Sequence, residues 1–251
     1  MNNEAEKMPA EHYRSLAGLE DFYWWHQTRY RIACSLLDRH ARPSTELRLA
    51  DIGCGTGGFL RHVRRRGVAH PVGFDSSETA LRSLERSGIT GYPIELEQPF
   101  SLPEGPYDVI TALDVLEHLG NEHSFLQSIR QNLKGDGMLL LTLPAHQSLF
   151  SDWDRRLHHF RRYSRRRIEA LLKEHHFHTR EASHFFSFVM PLALVRRWTG
   201  RYDGRTACEF PAVSNHLNRL LLALGRIELN ILRYTGLPFG TSLFAIAQRM
   251  D

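Results

Sequence analysis

The stretch Leu49-Ala50-Asp51-Ile52-Gly53-Cys54-Gly55-Thr56-Gly57-Gly58-Phe59 decides the fold. A short apolar strand, Leu47–Ile52, runs into a cluster of glycines, and helical periodicity resumes over Phe59–Arg66. Glycine lets a backbone turn tightly and approach a ligand with no Cβ in between. Downstream, apolar β runs alternate with helical periods: strand at Pro71–Phe74, helix at Glu78–Arg86, strand at Tyr107–Leu113, helix at Glu122–Leu133, strand at Met138–Leu143. That alternation predicts an α/β domain whose parallel sheet is covered on both faces. Upstream, Glu11–Asp38 reads as a helix dense in aromatics. Past Pro144 we expect a polar loop, a helix over Arg165–His175, a strand over Thr179–Phe188, a Leu-rich helical stretch over Met190–Gly236 and a last strand at Ser242–Arg249. The wide gap before that strand predicts an inserted helical subdomain.

Composition narrows the class. With 251 residues, 42% hydrophobic and 24% charged, the chain suits one large globular domain. The most apolar run, Phe185–Val195, is too short to span a bilayer and is broken by Pro191. The polar, acidic Met1–Glu11 does not resemble a secretory signal. Cys34, Cys54 and Cys208 are an odd, scattered set, as expected of reduced thiols in a cytoplasm. The net charge is +4, yet Ser151–Arg180 alone holds nine Lys/Arg and four Asp/Glu, a local +5. One basic segment therefore carries the excess.

Gly53, Gly55 and Gly58 satisfy G-x-G-x-x-G, a pattern also used for dinucleotides. Two features decide against that ligand. Asp51 precedes the loop, where a carboxylate repels a pyrophosphate and attracts an ammonium group, and the spacing Gly53-x-Gly55-x-Gly57 leaves an open, flat loop. Asp75 ends the next strand 24 residues later, where an acid can bind both ribose hydroxyls. A ribose with an amino-acid tail fits S-adenosylmethionine.

Asp51-Ile52-Gly53-Cys54-Gly55-Thr56-Gly57, Asp75 and Asp108-Val109-Ile110-Thr111-Ala112-Leu113-Asp114-Val115-Leu116-Glu117-His118-Leu119 resemble the successive motifs of class I S-adenosylmethionine-dependent methyltransferases, closest to the bacterial small-molecule, type-11-like branch. Asn132–Leu141 resembles the family's turn into its fifth strand, with Asp136 where proline is usual. The resemblance covers about Leu47–Leu143. It implies a Rossmann-like, seven-stranded, mostly parallel sheet with helices on both faces and a helical insertion before the last strand. It further implies a lid at 1–45, a core at 46–189 and 241–251, and a cap at 190–240. S-adenosylmethionine would be the cofactor and S-adenosylhomocysteine the product. The implied cofactor residues are Asp51, Gly53, Cys54, Gly55, Thr56, Gly57, Phe59, Asp75, Ser76, Asp114 and Val115. Glu95 and Leu96 join them where the family often has Asp-Ala.

The acceptor is less legible. His118 follows the fourth strand, and an imidazole near neutral pKa suits removal of an acceptor proton; a structural role in the following turn is the rival. Glu117 reads as structural. Phe22-Tyr23-Trp24-Trp25, with Arg29 and Tyr30, suits either a lid that walls the substrate or an ordinary core helix. The basic run His158–Arg167 suits a solvated loop, an anionic substrate or an acidic membrane surface; nucleic acid is the weaker reading. His146, His159 and Tyr163 border the loop after the fifth strand and are further acceptor candidates. The Asn/Asp-Pro-Pro-aromatic motif of base-amine methyltransferases is missing. No H-x-x-x-H helix or C-x-x-C is found, so we expect no metal. Leu217, Leu220, Leu221, Leu224, Ile227, Ile231 and Leu232 recur at helical spacing, as for core, a homodimer face or lipid contact. The expected protein is cytoplasmic and methylates an O, N or C atom of a small-molecule or lipid-linked acceptor. A coupled reaction such as cyclisation, or a non-catalytic RNA-binding module, are the alternatives.

Overall fold

The computed structural model describes residues 18–199 and 213–251. Seven strands form one sheet: β1 Leu49–Ile52, β2 Val72–Asp75, β3 Thr90–Pro93, β4 Tyr107–Leu113, β5 Leu133–Pro144, β6 Phe177–Phe185 and β7 Ser242–Arg249. Their order is β3-β2-β1-β4-β5-β7-β6. β7 runs antiparallel to both its neighbours, so the other six point the same way and end at one edge. The order reverses between β1 and β4. In open α/β sheets ligands bind at such a reversal, outside the carboxyl ends of the strands.

Among the described residues, the sheet is flanked by α1 Trp24–His40, α2 Gly58–Arg64, α3 Glu78–Arg86, α4 Glu122–Asn132, α5 Asp152–Arg156, α6 Arg165–Glu174, α7 Met190–Thr199 and α8 Asn215–Leu232. Successive strand residues serve opposite faces, because the side-chain period of a strand is two. Ala50, Ile52, Ile110, Leu139 and Leu141 belong to a core with Phe125 of α4 and Ile168 of α6. Leu49, Val109 and Leu140 belong to a second core with Leu36 of α1, Phe59 of α2 and Leu84 of α3. This two-sided burial is why β1 is buried throughout and β4 almost throughout, with apolar residues on both faces rather than in alternation.

Several boundaries differ from the sequence-based expectation. β3 was not expected: four residues long, on the sheet edge, and with Gly91 and Pro93, it has almost no strand signature. β6 ends at Phe185 rather than 188, because Phe186 turns left-handed at φ 60°. Within the opening Glu11–Asp38 helix, residues 11–17 lie outside the described part, residues 18 and 19 are helical, residues 20–22 form a turn, and α1 starts at Trp24. The short α5 interrupts the loop expected after Pro144; it starts at a capping box in which Ser151 and Asp154 hold each other's backbone N–H groups. The helical insertion holds α7 and α8, with Cys208 outside the described residues. Cys34 and Cys54 are buried free thiols. No helix among the described residues is long and apolar enough to cross a membrane.

α8 matters for the site because it holds α1. Asn218 accepts a hydrogen bond from the Trp24 N–H at 2.9 Å and donates to the Phe22 carbonyl at 2.9 Å. Glu228 accepts from the backbone N–H groups of Phe186 and Ser187 at 2.6 and 2.7 Å. Between them Gly225 lies so close to Thr28 that a Cβ would stand 2.4 Å from its hydroxyl. On an open helix face Gly→Ala gains about 1 kcal/mol. Here Gly225→Ala should instead lose ~1–3 kcal/mol to overpacking, measured by urea denaturation; a net gain would show that the two helices are not in close contact.

Candidate functional site

The chain leaves four of the parallel strands through left-handed residues at the same sheet edge: Gly53 (φ 64°) after β1, Asp114 (φ 58°) after β4, His146 (φ 60°) after β5 and Phe186 (φ 60°) after β6. For the last three this conformation is unfavourable, and non-glycine residues of this kind concentrate at functional sites. Gly53 is glycine for an additional reason. A Cβ there would stand 2.6 Å from the Cγ2 of Val115, so the glycine loop and the β4 exit are pressed together.

Around that contact the expected cofactor residues converge. Asp51 is buried at the end of β1, where its Oδ1 accepts from the Thr111 hydroxyl at 2.6 Å. Burial pushes its carboxyl up to about 7, against the Thr111 hydrogen bond and the Arg29 charge, which lower it. Asp75 is held by two backbone donors, Gly55 N–H on Oδ2 at 2.9 Å and Ser77 N–H on Oδ1 at 2.9 Å. Gly53 is exposed, Gly55 half-buried, and Cys54, Thr56, Gly57 and Phe59 are buried beneath them. Ser76 and Glu95 are exposed at the ends of β2 and β3, and Leu96 packs on the core.

Two groups that the sequence analysis did not assign organise this edge. Glu20, buried in the turn before α1, accepts from the Thr56 hydroxyl at 2.5 Å, the Tyr30 hydroxyl at 3.0 Å and Arg61 at 3.3 Å. It ties the segment before α1 to the glycine loop. Thr142 of β5 donates to Asp114 Oδ1 at 3.0 Å, and Arg29 of α1 donates to Asp114 Oδ2. Arg29, whose segment suits either a substrate wall or an ordinary core helix, is buried in an ion pair, with its guanidinium 4.2 Å over the Trp25 ring. Trp25 stacks on Phe186, and Trp24 meets Phe186 and Phe188 edge-on. Tyr23 is buried, while Phe22 is exposed.

The acceptor candidates divide. His118 is half-buried, closing a single 3-10 turn, Leu116–His118, that follows Val115. Its ring meets His159 edge to face at 4.6 Å. His159 Nδ1 lies 3.0 Å from Asp154 Oδ1. One ligand-type atom from each of Glu117, His118 and His159 falls within 4.8 Å of the others, a juxtaposition that no sequence spacing announces. Glu117, read as structural, is completely buried, and neither carboxylate oxygen has a hydrogen-bond partner. Burial first, and then the Asp114 charge, push its pKa up. His146 stacks parallel on His184 at 4.9 Å. Tyr163 is placed out of reach: it is fully buried and donates to Glu122 at 2.7 Å. Most of the basic run is neutralised within the fold. Arg162 chelates Asp154, Arg161 and Arg167 both pair with Glu122, and Arg165 pairs with Glu169. It is not an open anion site along its length.

A family model described as a methyltransferase domain matches residues 24–182. The chain belongs to this methyltransferase family. The reading as a class I S-adenosylmethionine-dependent methyltransferase agrees with solved structures of the same fold. A phosphoethanolamine N-methyltransferase of Haemonchus contortus, solved with S-adenosylmethionine, aligns with a TM-score of 0.58 at 19% identity, over 90% of this chain and 53% of that one. The cyclase SpnF aligns with a TM-score of 0.62 at 15% identity, over 96% and 94%. Among curated relatives, an uncharacterised protein of Haemophilus influenzae is 34% identical over 104 residues, 38% of this chain and 41% of the relative. The ubiquinone biosynthesis O-methyltransferase of Maricaulis maris is 33% identical over 105 residues, 39% of this chain and 41% of the relative. The matched stretch thus spans about two fifths of the length of those relatives.

For this methyltransferase, the proton on Asp51 has a consequence for stability. Unfolded, an aspartate titrates near 3.8; in the fold the value is about 7. Between those values the folded chain holds a proton that the unfolded chain has lost, so stability falls as pH rises through that window and levels off above it. Asp51→Asn, which still accepts from Thr111, removes the dependence. From pH 5 to 8 the unliganded natural chain should lose stability relative to the variant, by up to about 1.4 kcal/mol per pH unit below 7. Denaturation at both pH values checks this; equal slopes would contradict the buried, protonated Asp51.

Proposed function

We propose that this methyltransferase moves the methyl group of S-adenosylmethionine to a hydroxyl oxygen of a small or lipid-linked acceptor. The observation that carries the reading is the convergence of Asp51, Gly53, Asp75, Asp114 and Val115 at the point where the strand order reverses. In this reading Asp51 takes the cofactor ammonium, the Asp75 carboxylate takes the ribose hydroxyls, and Gly53 lets the cofactor lie against the loop. Asp114 and Val115 flank the methionine portion. Arg29 fixes Asp114, which connects residues up to 45, as a lid, to the site; the 190–240 segment is a cap that holds α1 in place.

The sulfonium is already a good leaving group, so the protein has to align a nucleophile with the methyl and keep water out. A hydroxyl acceptor must also lose its proton. His118 closes the turn after Val115 with the His159 ring against it, and we assign that task to them, with His118 foremost. The relatives named as O-methyltransferases support an oxygen acceptor in this part of the chain.

Purified protein, S-adenosylmethionine and panels of hydroxylated and amine acceptors test the reading by release of S-adenosylhomocysteine. We expect turnover with hydroxylated acceptors and a drop of ~10²-fold in His118→Ala with unchanged cofactor affinity. Turnover confined to amines, or an unaffected His118→Ala, would overturn the assignment. Asp75→Ala should weaken cofactor binding by ~1.5–3 kcal/mol through lost charge-assisted hydrogen bonds. A folded variant of natural affinity would remove Asp75 from the site.

A further inference from the structure

Glu117, His118 and His159 meet from two directions. The first two close the 3-10 turn after Val115, and His159 comes from the loop after α5. A carboxylate oxygen and two imidazole nitrogens lie within 4.8 Å of one another. Glu117 is 0% exposed with both oxygens unpartnered, an arrangement that is costly unless the carboxylate is neutralised or binds a cation. His159 is oriented from behind. Its Nδ1 bonds Asp154, and Asp154 is itself fixed by Arg162 at 2.8 and 3.0 Å and by the Ser151 N–H at 2.9 Å. That leaves Nε2 for a ligand. A carboxylate behind a histidine in this way is the usual support of a metal-bound imidazole, fixing its tautomer and orientation.

We propose that Glu117, His118 and His159 bind a divalent transition-metal ion of the zinc type, whose open coordination position takes the acceptor hydroxyl. Two imidazoles and one carboxylate with a vacant fourth position form the donor set of catalytic zinc. Magnesium and calcium prefer all-oxygen sites. Tetrahedral zinc with bonds of about 2.0–2.1 Å holds its ligands ~3.3 Å apart, so the three side chains need move only on the ångström scale to close on it. His118 and His159 are only partly buried, so the cluster is not sealed from solvent.

The inference deepens the proposed function and rests on it for the role of the ion, though not for its binding. An acceptor hydroxyl bound to the ion loses its proton to solvent more readily. The resulting oxygen attacks the methyl carbon, the carbon–sulfur bond breaks, and its electron pair stays on the sulfur. Acceptor alcohol and the sulfonium cofactor become methyl ether, S-adenosylhomocysteine and one proton. The imidazoles then act through the ion rather than as free bases.

Cobalt(II) is the probe, because its visible absorption distinguishes four- or five-coordinate binding from the hydrated ion. A second cluster, the exposed His123, Glu174 and His175, also groups ligand atoms on the surface. The titrations therefore use the full chain carrying H123A and H175A. We expect one cobalt(II) per chain with an intense visible band, displaced by one equivalent of zinc. His159→Ala and the near-isosteric Glu117→Gln should each weaken binding at least tenfold, and Asp154→Asn by ~10–100-fold, with thermal melts confirming folded variants. The absence of a band, or binding unmoved by Glu117→Gln and His159→Ala, overturns the proposal. If no ion binds yet His118→Ala still loses turnover, the metal is wrong while oxygen methylation stands, with His118 as a direct base. A bound ion without methylation of any hydroxylated acceptor keeps the site and overturns the oxygen-acceptor reading.

Discussion

The structure depends on a concentration of carboxylates at one edge of the sheet. Asp51, Asp114 and Glu117 gather at the ends of β1 and β4, and the guanidinium facing them is that of Arg29. Charges removed from water destabilise the fold unless they are paired, hydrogen-bonded or neutralised. Each of these carboxyls is handled differently. Asp114 has Arg29 and Thr142; Asp51 has Thr111 and a pKa near 7; Glu117 has no hydrogen-bond partner and a raised pKa. The edge is therefore in excess of acid over base, suited to a ligand that brings positive charge. An ammonium and a sulfonium on one cofactor meet that need, and a pyrophosphate would oppose it.

Arg29 can do this only because α1 is held in register. Glu20 anchors the turn before α1 to Thr56 in the glycine loop, and α8 locks the same turn through Asn218 and the opposite side through Gly225 and Glu228. Helix α8 of the insertion thereby influences the site through the position of one guanidinium. Loosening of α8 should be felt at Asp114, because packed interfaces transmit displacements rather than absorbing them.

Legibility in the sequence followed the range of the interactions. The strand–glycine–helix run around Gly53 and the uninterrupted apolar β4 are local signals, and both elements form where their residues indicate. Asp51, Asp75 and Asp114 were legible because strand ends in a parallel sheet converge regardless of the loops between them. β3 was missed because Gly91 and Pro93 suppress the strand signature at a sheet edge. Glu20 and Thr142 were missed because a lone acid in a turn and a lone hydroxyl in a strand look ordinary until tertiary packing brings Thr56 and Asp114 to them. The basic run after β5 misled for the same reason: its arginines meet Asp154, Glu122 and Glu169, two of them distant or on another element. The cluster of Glu117, His118 and His159 joins residues some forty positions apart and has no spacing rule to reveal it.

The central claim is that this acidic edge receives a cationic cofactor tail, with Asp51 giving up its proton to do so. Calorimetric titration with S-adenosylmethionine and S-adenosylhomocysteine at pH 8 and pH 6 tests it most directly. Binding should be ~1:1 and of micromolar strength at pH 8, about −8 kcal/mol, and weaker by about tenfold at pH 6, because the ammonium selects the ionised Asp51. No binding to a folded sample at either pH, or binding indifferent to pH, would contradict it.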